Sequence, residues 1–150
     1  MKPLLVLLVT FAISAVITTY THRPGAWALS ARIAMAVMLV FTATGHFTFT
    51  KGMSMMLPAF IPAKAALVYS TGVLEIAAAV ALLIPGLRLP AAWFLILFLV
   101  LLLPANVYAA LKHIDYQKAS FNGSGPAYLW FRVPLQLFFI AWIYLSAIKA

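Results

Sequence analysis

The sequence predicts an all-α membrane protein with five transmembrane helices. Hydrophobic residues make up 66% of the chain, charged residues make up only 8%, and the mean hydropathy is +1.09. Soluble domains carry roughly 45–50% apolar and about 25% charged residues, so this chain cannot cover its surface with polar groups. The alternating pattern of a membrane β-barrel is missing. We therefore expect lipid to be the solvent for most of the chain.

Five apolar segments have the length that a membrane span requires, which is about 20 residues of helix. Short breaks rich in proline, glycine and polar residues separate them and leave no room for a soluble domain. Backbone groups in hydrocarbon need hydrogen bonds within their own segment, so each segment is expected to be helical. The prediction is a single integral membrane domain, residues 1–150, with helices at about 3–20, 26–49, 65–84, 91–111 and 127–148.

The first segment has two interpretations. Lys2, the apolar run that follows and the small residues near "AWALSA" also fit a cleaved secretory signal peptide. We favour an uncleaved helix, because the apolar core is long for a signal peptide and the cleavage site is poor.

The charge of the chain is strongly positive, with ten Lys and Arg against two Asp and Glu. These basic residues lie mostly at the ends of apolar segments, where they anchor helices and contact anionic lipid headgroups. We therefore expect the lipid bilayer as a partner and no nucleic acid. A cytoplasmic N-terminus is slightly favoured, because it places five lysines inside and leaves Arg23, Arg32, Arg88 and Lys149 outside. The inside set is Lys2, Lys51, Lys64, Lys112 and Lys118.

Five polar side chains fall inside the predicted spans: His46, Glu75, Asn106, Arg132 and Gln136. Antiparallel threading places all of them in the same half of the bilayer, at 1.5 Å rise per residue. An ionisable residue at the centre of a helix costs about 2.5–3.5 kcal/mol on insertion scales, so it is expected to face other helices and to have a partner. The simplest hypothesis is a shared polar pocket that contains a Glu75–Arg132 ion pair.

Neighbouring residues support such a pocket. Thr42 shares a helix face with His46, and Thr71 shares one with Glu75. Gly45 and Gly72 are small positions that allow helices to approach closely. Two prolines, Pro104 and Pro134, are expected to kink helices beside the polar residues and to free backbone carbonyls there.

Other interpretations of these side chains stay open. The Glu75–Arg132 pair could fix helix packing alone, Arg132 could extend to the headgroups, and His46 could be an ordinary hydrogen-bonded contact. We predict no metal site, because His46, Glu75 and the distant His113 match no ligand spacing and cysteine is absent.

Four motifs, "TATGHF", "YSTGVLEI", "LPANVYAAL" and "WFRVPLQ", follow one another on successive predicted helices. In these motifs the chain resembles the DoxX family of small bacterial membrane proteins over about residues 30–148. The resemblance implies a four-helix bundle made by the second to fifth helices, with the first helix as an addition. It also implies the bacterial cytoplasmic membrane and a link to a membrane oxidoreductase assembly.

On this basis we expect an accessory or subunit of a membrane oxidoreductase system that binds a quinone-like or other lipophilic molecule. Arg132 and Gln136 would hold an oxygen of the ligand, Asn106 would orient it, and His46 and Glu75, the candidate catalytic residues, would exchange protons with it. The sequence identifies no cofactor beyond a quinone as ligand class, and it does not decide whether the chain is an enzyme. The expected partner is a membrane redox protein or a second copy of the chain. The alternatives are a non-catalytic assembly factor or structural subunit and, with weaker support, a small-solute or proton carrier.

Overall fold

The protein is described by a computed structural model that covers residues 2–22 and 24–150. Arg23, one of the basic residues that bear on orientation, lies outside the described residues. Within them the α-helices are α1 (Lys2–Tyr20), α2 (Ala26–Thr48), α3 (Thr50–Met55), α4 (Lys64–Leu83), α5 (Arg88–Leu111) and α6 (Leu129–Ile143). A 3-10 turn, Gly125–Tyr128, leads into α6, and a π-helical turn, Tyr144–Lys149, continues it.

Five helical segments in the described part of the chain are long and apolar enough to cross a membrane: α1, α2, α4, α5 and the continuous segment Gly125–Lys149. The predicted fold class is therefore confirmed, and the chain is a multi-pass membrane protein. The predicted bounds differ by at most three residues, the largest difference being the start of α5 at Arg88. The sequence predicts that this helix begins after Pro90. Proline is tolerated in the first turn of a helix, however, because an N–H at that position has no intrahelical partner.

Helices α2, α4, α5 and α6 form a closed four-helix bundle in which α6 returns to α2. Helix α1 packs along the outside of α2, and the hydroxyls of Thr18 and Ser30 meet at 2.8 Å near the turn that joins the two helices. The ring of Phe11 on α1 lies edge-on to Trp142 on α6, with 5.1 Å between ring centroids. The extra N-terminal helix is thus attached to both α2 and α6.

The interior of the bundle combines small and large apolar side chains. Ala34, Met35, Ala92 and Leu95 are fully buried at its centre. Lipid tails are as apolar as these side chains, so helix association in a membrane depends on close packing and on interhelical hydrogen bonds. The alanines allow that packing because they let neighbouring backbones approach each other.

Two hydrogen bonds join α6 to its neighbours. The indole Nε1 of Trp142 donates to the backbone carbonyl of Ala31 on α2 at 2.9 Å. The side-chain amide of Gln136 donates to the carbonyl of Leu99 on α5. The carbonyl that loses its intrahelical donor because Pro104 has no N–H is that of Val100, so Gln136 attaches α6 one residue before that freed acceptor.

The short helix α3 and residues 112–124 lie together at the end of the bundle where α2 ends and α4 begins, which we call the α3 end. Gly52 allows their contact, because a Cβ there would lie 1.7 Å from the carbonyl oxygen of Tyr116. The rings of Phe49 and Tyr116 also meet edge-on, 5.9 Å apart. Paired backbone hydrogen bonds between Asp115 and Ser120 fix the turn of this segment.

The Trp142–Ala31 hydrogen bond provides a test of the bundle. Replacing Trp142 with Phe keeps an aromatic ring but removes the donor, and we expect the free energy of unfolding in detergent to fall by about 1 kcal/mol. Trp130→Phe is the matched control, because Trp130 is 85% exposed. Equal effects of the two substitutions on denaturant unfolding would contradict this interhelical bond.

Candidate functional site

The ionisable pair of the membrane interior is His46 with Glu75. Nε2 of His46 on α2 lies 3.1 Å from Oε2 of Glu75 on α4, and this is the one salt-bridge contact among residues 2–22 and 24–150. The side chains are 12% and 7% exposed, respectively. Gly72, one turn before Glu75, allows the approach because a Cβ there would lie 2.8 Å from Cβ of His46.

Thr42 extends the pair on the carboxylate side. Its hydroxyl oxygen contacts Oε1 of Glu75 and lies 3.0 Å from the carbonyl oxygen of Leu39. A hydroxyl carries one proton and can also accept. If the Glu75 carboxyl is ionised, Thr42 donates to it. If the carboxyl is protonated, Glu75 can donate to Thr42, which then donates to Leu39.

Thr71 extends the pair on the imidazole side in the same way. Its hydroxyl oxygen lies 3.0 Å from Nδ1 of His46 and 2.8 Å from the carbonyl oxygen of Val68. Nδ1 is also 3.1 Å from that carbonyl. When Nδ1 carries a proton it donates to this oxygen pair, and when Nδ1 is bare it accepts from the Thr71 hydroxyl. Both tautomers of His46 therefore find partners here.

The resulting path has five contacts, which run from the Leu39 carbonyl through Thr42, Glu75, His46 and Thr71 to the Val68 carbonyl. The carbonyl oxygens at the two ends of the path can only accept hydrogen bonds. All five contacts are therefore hydrogen bonds only when the path carries five protons, one for each contact. With an ionised carboxylate and a neutral imidazole, the path holds three protons, which come from the two hydroxyls and one ring N–H.

The contact between the two ionisable groups is the one that lacks an aligned hydrogen bond. Oε2 of Glu75 is buried and has no hydrogen-bond partner among the described residues, although Nε2 of His46 is 3.1 Å away. The separation fits electrostatic attraction, but the contact does not meet the geometry of a hydrogen bond. A buried polar atom without a hydrogen bond is costly, which makes this the weakest contact of the path.

The other sequence-predicted residues lie on α5 and α6. Asn106 donates to the carbonyl of Leu102 in its own helix at 3.1 Å. Gln136 is occupied on its amide side by Leu99, while its buried Oε1 has no partner among the described residues. Nε of the half-buried Arg132 also lacks a partner within them.

The hypothesis of a Glu75–Arg132 ion pair is wrong, because the partner of Glu75 is His46. Helix α4 neighbours α2 and α5, so α4 and α6 lie diagonally across the bundle. Hydrogen bonds and ion pairs of the described residues link His46 to Glu75, but link neither to Asn106, Arg132 or Gln136. One pocket that contains all five side chains stays a prediction.

Sequence reasoning found some supporting residues and missed others. Thr42 and Thr71 were placed on the correct helix faces, and their four-residue spacing from His46 and Glu75 was the signal for the path. The Leu39 and Val68 carbonyls had no signal, because every residue has one. Among the glycines, Gly72 does bring α2 close to α4. Gly45 does not, since its nearest neighbours are the side chains of Met53 and Phe49.

Metal-ligand side chains do not converge in the described ranges, which hold no group of three or more His, Cys, Asp or Glu residues that could bind an ion. The chemistry that this arrangement offers is proton transfer. An imidazole and a carboxyl group are the common general acids and bases of proteins.

Gly72 provides a test of the helix contact on which the pair depends. Gly72→Ala would push a methyl group into His46, and overpacking of this kind costs about 1–3 kcal/mol. We expect a loss of that size in the free energy of unfolding. Gly86→Ala is the control, because a Cβ at Gly86 has no atom within 4 Å among those described. A Gly72→Ala variant as stable as the control would contradict the close approach of α2 and α4.

Comparison with known proteins gives a family. A search of curated proteins and a search of solved structures each find no match. The sequence model of the family described as "Domain of unknown function (DUF8561)" matches residues 35–147, which include both ionisable residues of the pair and most of the four-helix bundle. The match covers more than half of the chain, and the chain therefore belongs to the DUF8561 family.

Proposed function

We propose that this protein binds a quinone-like or other lipophilic, oxygen-bearing molecule in the membrane and exchanges a proton with it through His46 and Glu75. The observation that supports the proposal most directly is the five-contact path, which can hold a variable number of protons inside the hydrocarbon region. Ionisable groups are expensive at this depth, and where they occur they typically mark ligand sites or proton relays.

The geometry suits the exchange of one proton at a time. A general acid gives a proton to an atom within hydrogen-bond distance. Protonated Glu75 or His46 can give its proton to a ligand oxygen. The contact that is then left without a proton is the one between Glu75 and His46, so both groups share it. Rotation of the Thr42 and Thr71 hydroxyls keeps the remaining contacts bonded without any movement of the backbone. Electrons for a quinone would come from a redox partner, because these side chains supply protons only.

In the same proposal, Asn106, Arg132 and Gln136 contact the ligand. The buried Oε1 of Gln136 is an acceptor and Nε of Arg132 is a donor, and neither has a partner among the described residues. A ligand with a hydroxyl or carbonyl oxygen can satisfy such atoms. Asn106 is buried and its amide bonds α5, so its proposed role is to orient the ligand.

The cellular setting is also part of the proposal. The resemblance to DoxX proteins favours the bacterial cytoplasmic membrane and a membrane redox protein or second copy of this chain as partner. The distribution of basic residues favours a cytoplasmic N-terminus. In that setting the chain would be an accessory or a subunit of an oxidoreductase assembly. The multi-pass architecture is compatible with such a role.

A second candidate is a structural subunit or assembly factor in which the polar path only joins helices. It is favoured by the fact that the path already bridges α2 and α4 with contacts from Thr42, His46 and Thr71. Interhelical hydrogen bonds in membranes average about 0.6 kcal/mol, so such a path contributes modestly to stability. This candidate predicts a loss of stability without any change in ligand affinity.

The two candidates are separated by Glu75→Gln, which keeps the size of the side chain but removes its exchangeable acid. We expect the Kd of a quinone analogue, measured in lipid nanodiscs, to rise at least tenfold, equivalent to about 1.4 kcal/mol, because the ligand loses its proton partner.

Asp115→Asn is the matched control for this experiment, because it makes the same chemical change at the only other acidic side chain of the sequence. Asp115 lies in the turn at the α3 end, where its Oδ1 accepts backbone N–H groups of Gln117 and Lys118. It should bind the analogue as wild type does. Unchanged affinity in Glu75→Gln, together with a lower free energy of unfolding, would reject ligand binding in favour of the structural role.

A further inference from the structure

A second feature of the α3 end is an open groove of about 580 Å³ between α3 and the start of α4. Its lining residues are Thr50, Lys51, Ser54, Met55, Lys64 and Ala65. Lys51 belongs to α3, and Lys64 is the first residue of α4, so the two ammonium-bearing side chains come from different helices. None of the six lining residues is acidic.

The hydrogen bonds around the groove leave its positive charge available. The Lys64 ammonium donates to the carbonyl of Leu57 at 3.1 Å, and two of its three N–H groups remain for other partners. The hydroxyls are already committed as donors, since Thr50 donates to the carbonyl of His46 and Ser54 to that of Thr50, each at 2.7 Å. The donors of the groove that remain for an anion are therefore those of Lys51 and Lys64.

Neither acidic side chain of the protein neutralises this charge. Glu75 is buried beside His46, and Asp115 accepts backbone N–H groups within its own turn. Among residues 2–22 and 24–150, no carboxylate forms an ion pair with Lys51 or Lys64. The counter-charge for the groove has to come from another molecule.

The residues next to the groove indicate what kind of molecule carries this negative counter-charge. Ala65 lies at the start of α4, and Tyr69 and Val73, one and two turns further along this apolar helix, are exposed. A ligand that fits has an anionic head between the two ammonium groups and an apolar tail along α4. We propose that this groove binds the phosphate group of an anionic membrane lipid. Lysine binds phosphate as a point charge, and lysines near a membrane surface attract anionic lipid.

The proposal does not depend on the proposed proton exchange and is tested separately. The full chain in neutral detergent is titrated with phosphatidylglycerol, with phosphatidylcholine and with inorganic phosphate, and bound molecules are counted by native mass spectrometry. We expect selective retention of phosphatidylglycerol. Each lysine should contribute about fivefold in affinity, so Lys51→Gln should lower it about fivefold and the Lys51→Gln, Lys64→Gln pair by more than tenfold.

The matched control is the Lys112→Gln, Lys118→Gln pair, which removes the same charge from the same end of the bundle outside the groove. It should retain wild-type selectivity. Lys51→Arg should also bind, because it keeps the positive charge. Lys51→Gln alone leaves the Lys64–Leu57 bond intact, so its result does not depend on that linker being correctly folded.

Three results would overturn the proposal. Equal loss in the groove pair and the control pair would mean diffuse surface attraction. Unchanged retention in Lys51→Gln and in the groove pair would place the lipid elsewhere. Binding of inorganic phosphate as tight as that of phosphatidylglycerol would indicate a site for soluble phosphate.

Discussion

The contact between His46 and Glu75 inside the membrane is the constraint on which much of this structure depends. Two ionisable groups in a region without water need partners within the protein, and here they find each other across α2 and α4. Their contact requires that the helix backbones come close, which Gly72 permits. It also requires proton donors and acceptors at both ends, which two threonines and two backbone carbonyls provide. Helix α2 packs against α1, α4 and α6, so His46 lies on a helix that contacts three others.

The two proposed sites lie next to each other at the α3 end. Thr50 lines the lysine groove, and its hydroxyl donates to the backbone carbonyl of His46 at 2.7 Å. A lipid headgroup in the groove would thus lie close to the helix turn that carries the imidazole. The groove concerns charge at the membrane surface and the pair concerns protons within the hydrocarbon, so substitutions at Lys51 and at Glu75 should have separable effects.

The spans could be predicted from the sequence because the length of an apolar run is set by the thickness of the bilayer, and the bounds of the five spanning segments agree within three residues. The meeting of His46 and Glu75 at one level of the bundle follows from helical rise and antiparallel threading. The partner of Glu75 could not be predicted. It depends on which helices are neighbours and how each is rotated, and these are fixed by packing around small residues such as Gly72 and Ala34. Arg132 was therefore expected beside Glu75 but lies on α6, a helix diagonal to α4.

The most direct measurement of the central claim is infrared difference spectroscopy of the Glu75 carboxyl in nanodiscs, with and without a quinone analogue. The chain has only two acidic side chains, so few carboxyl groups contribute to the spectrum. We expect binding of the analogue to change the carboxyl band, and we expect that change to be absent in Glu75→Gln and retained in Asp115→Asn. We also expect His46→Gln to weaken the change, because the pair acts together in the proposed exchange. A carboxyl band that the analogue leaves unchanged, or a change that persists in Glu75→Gln, would contradict proton exchange at the His46–Glu75 pair.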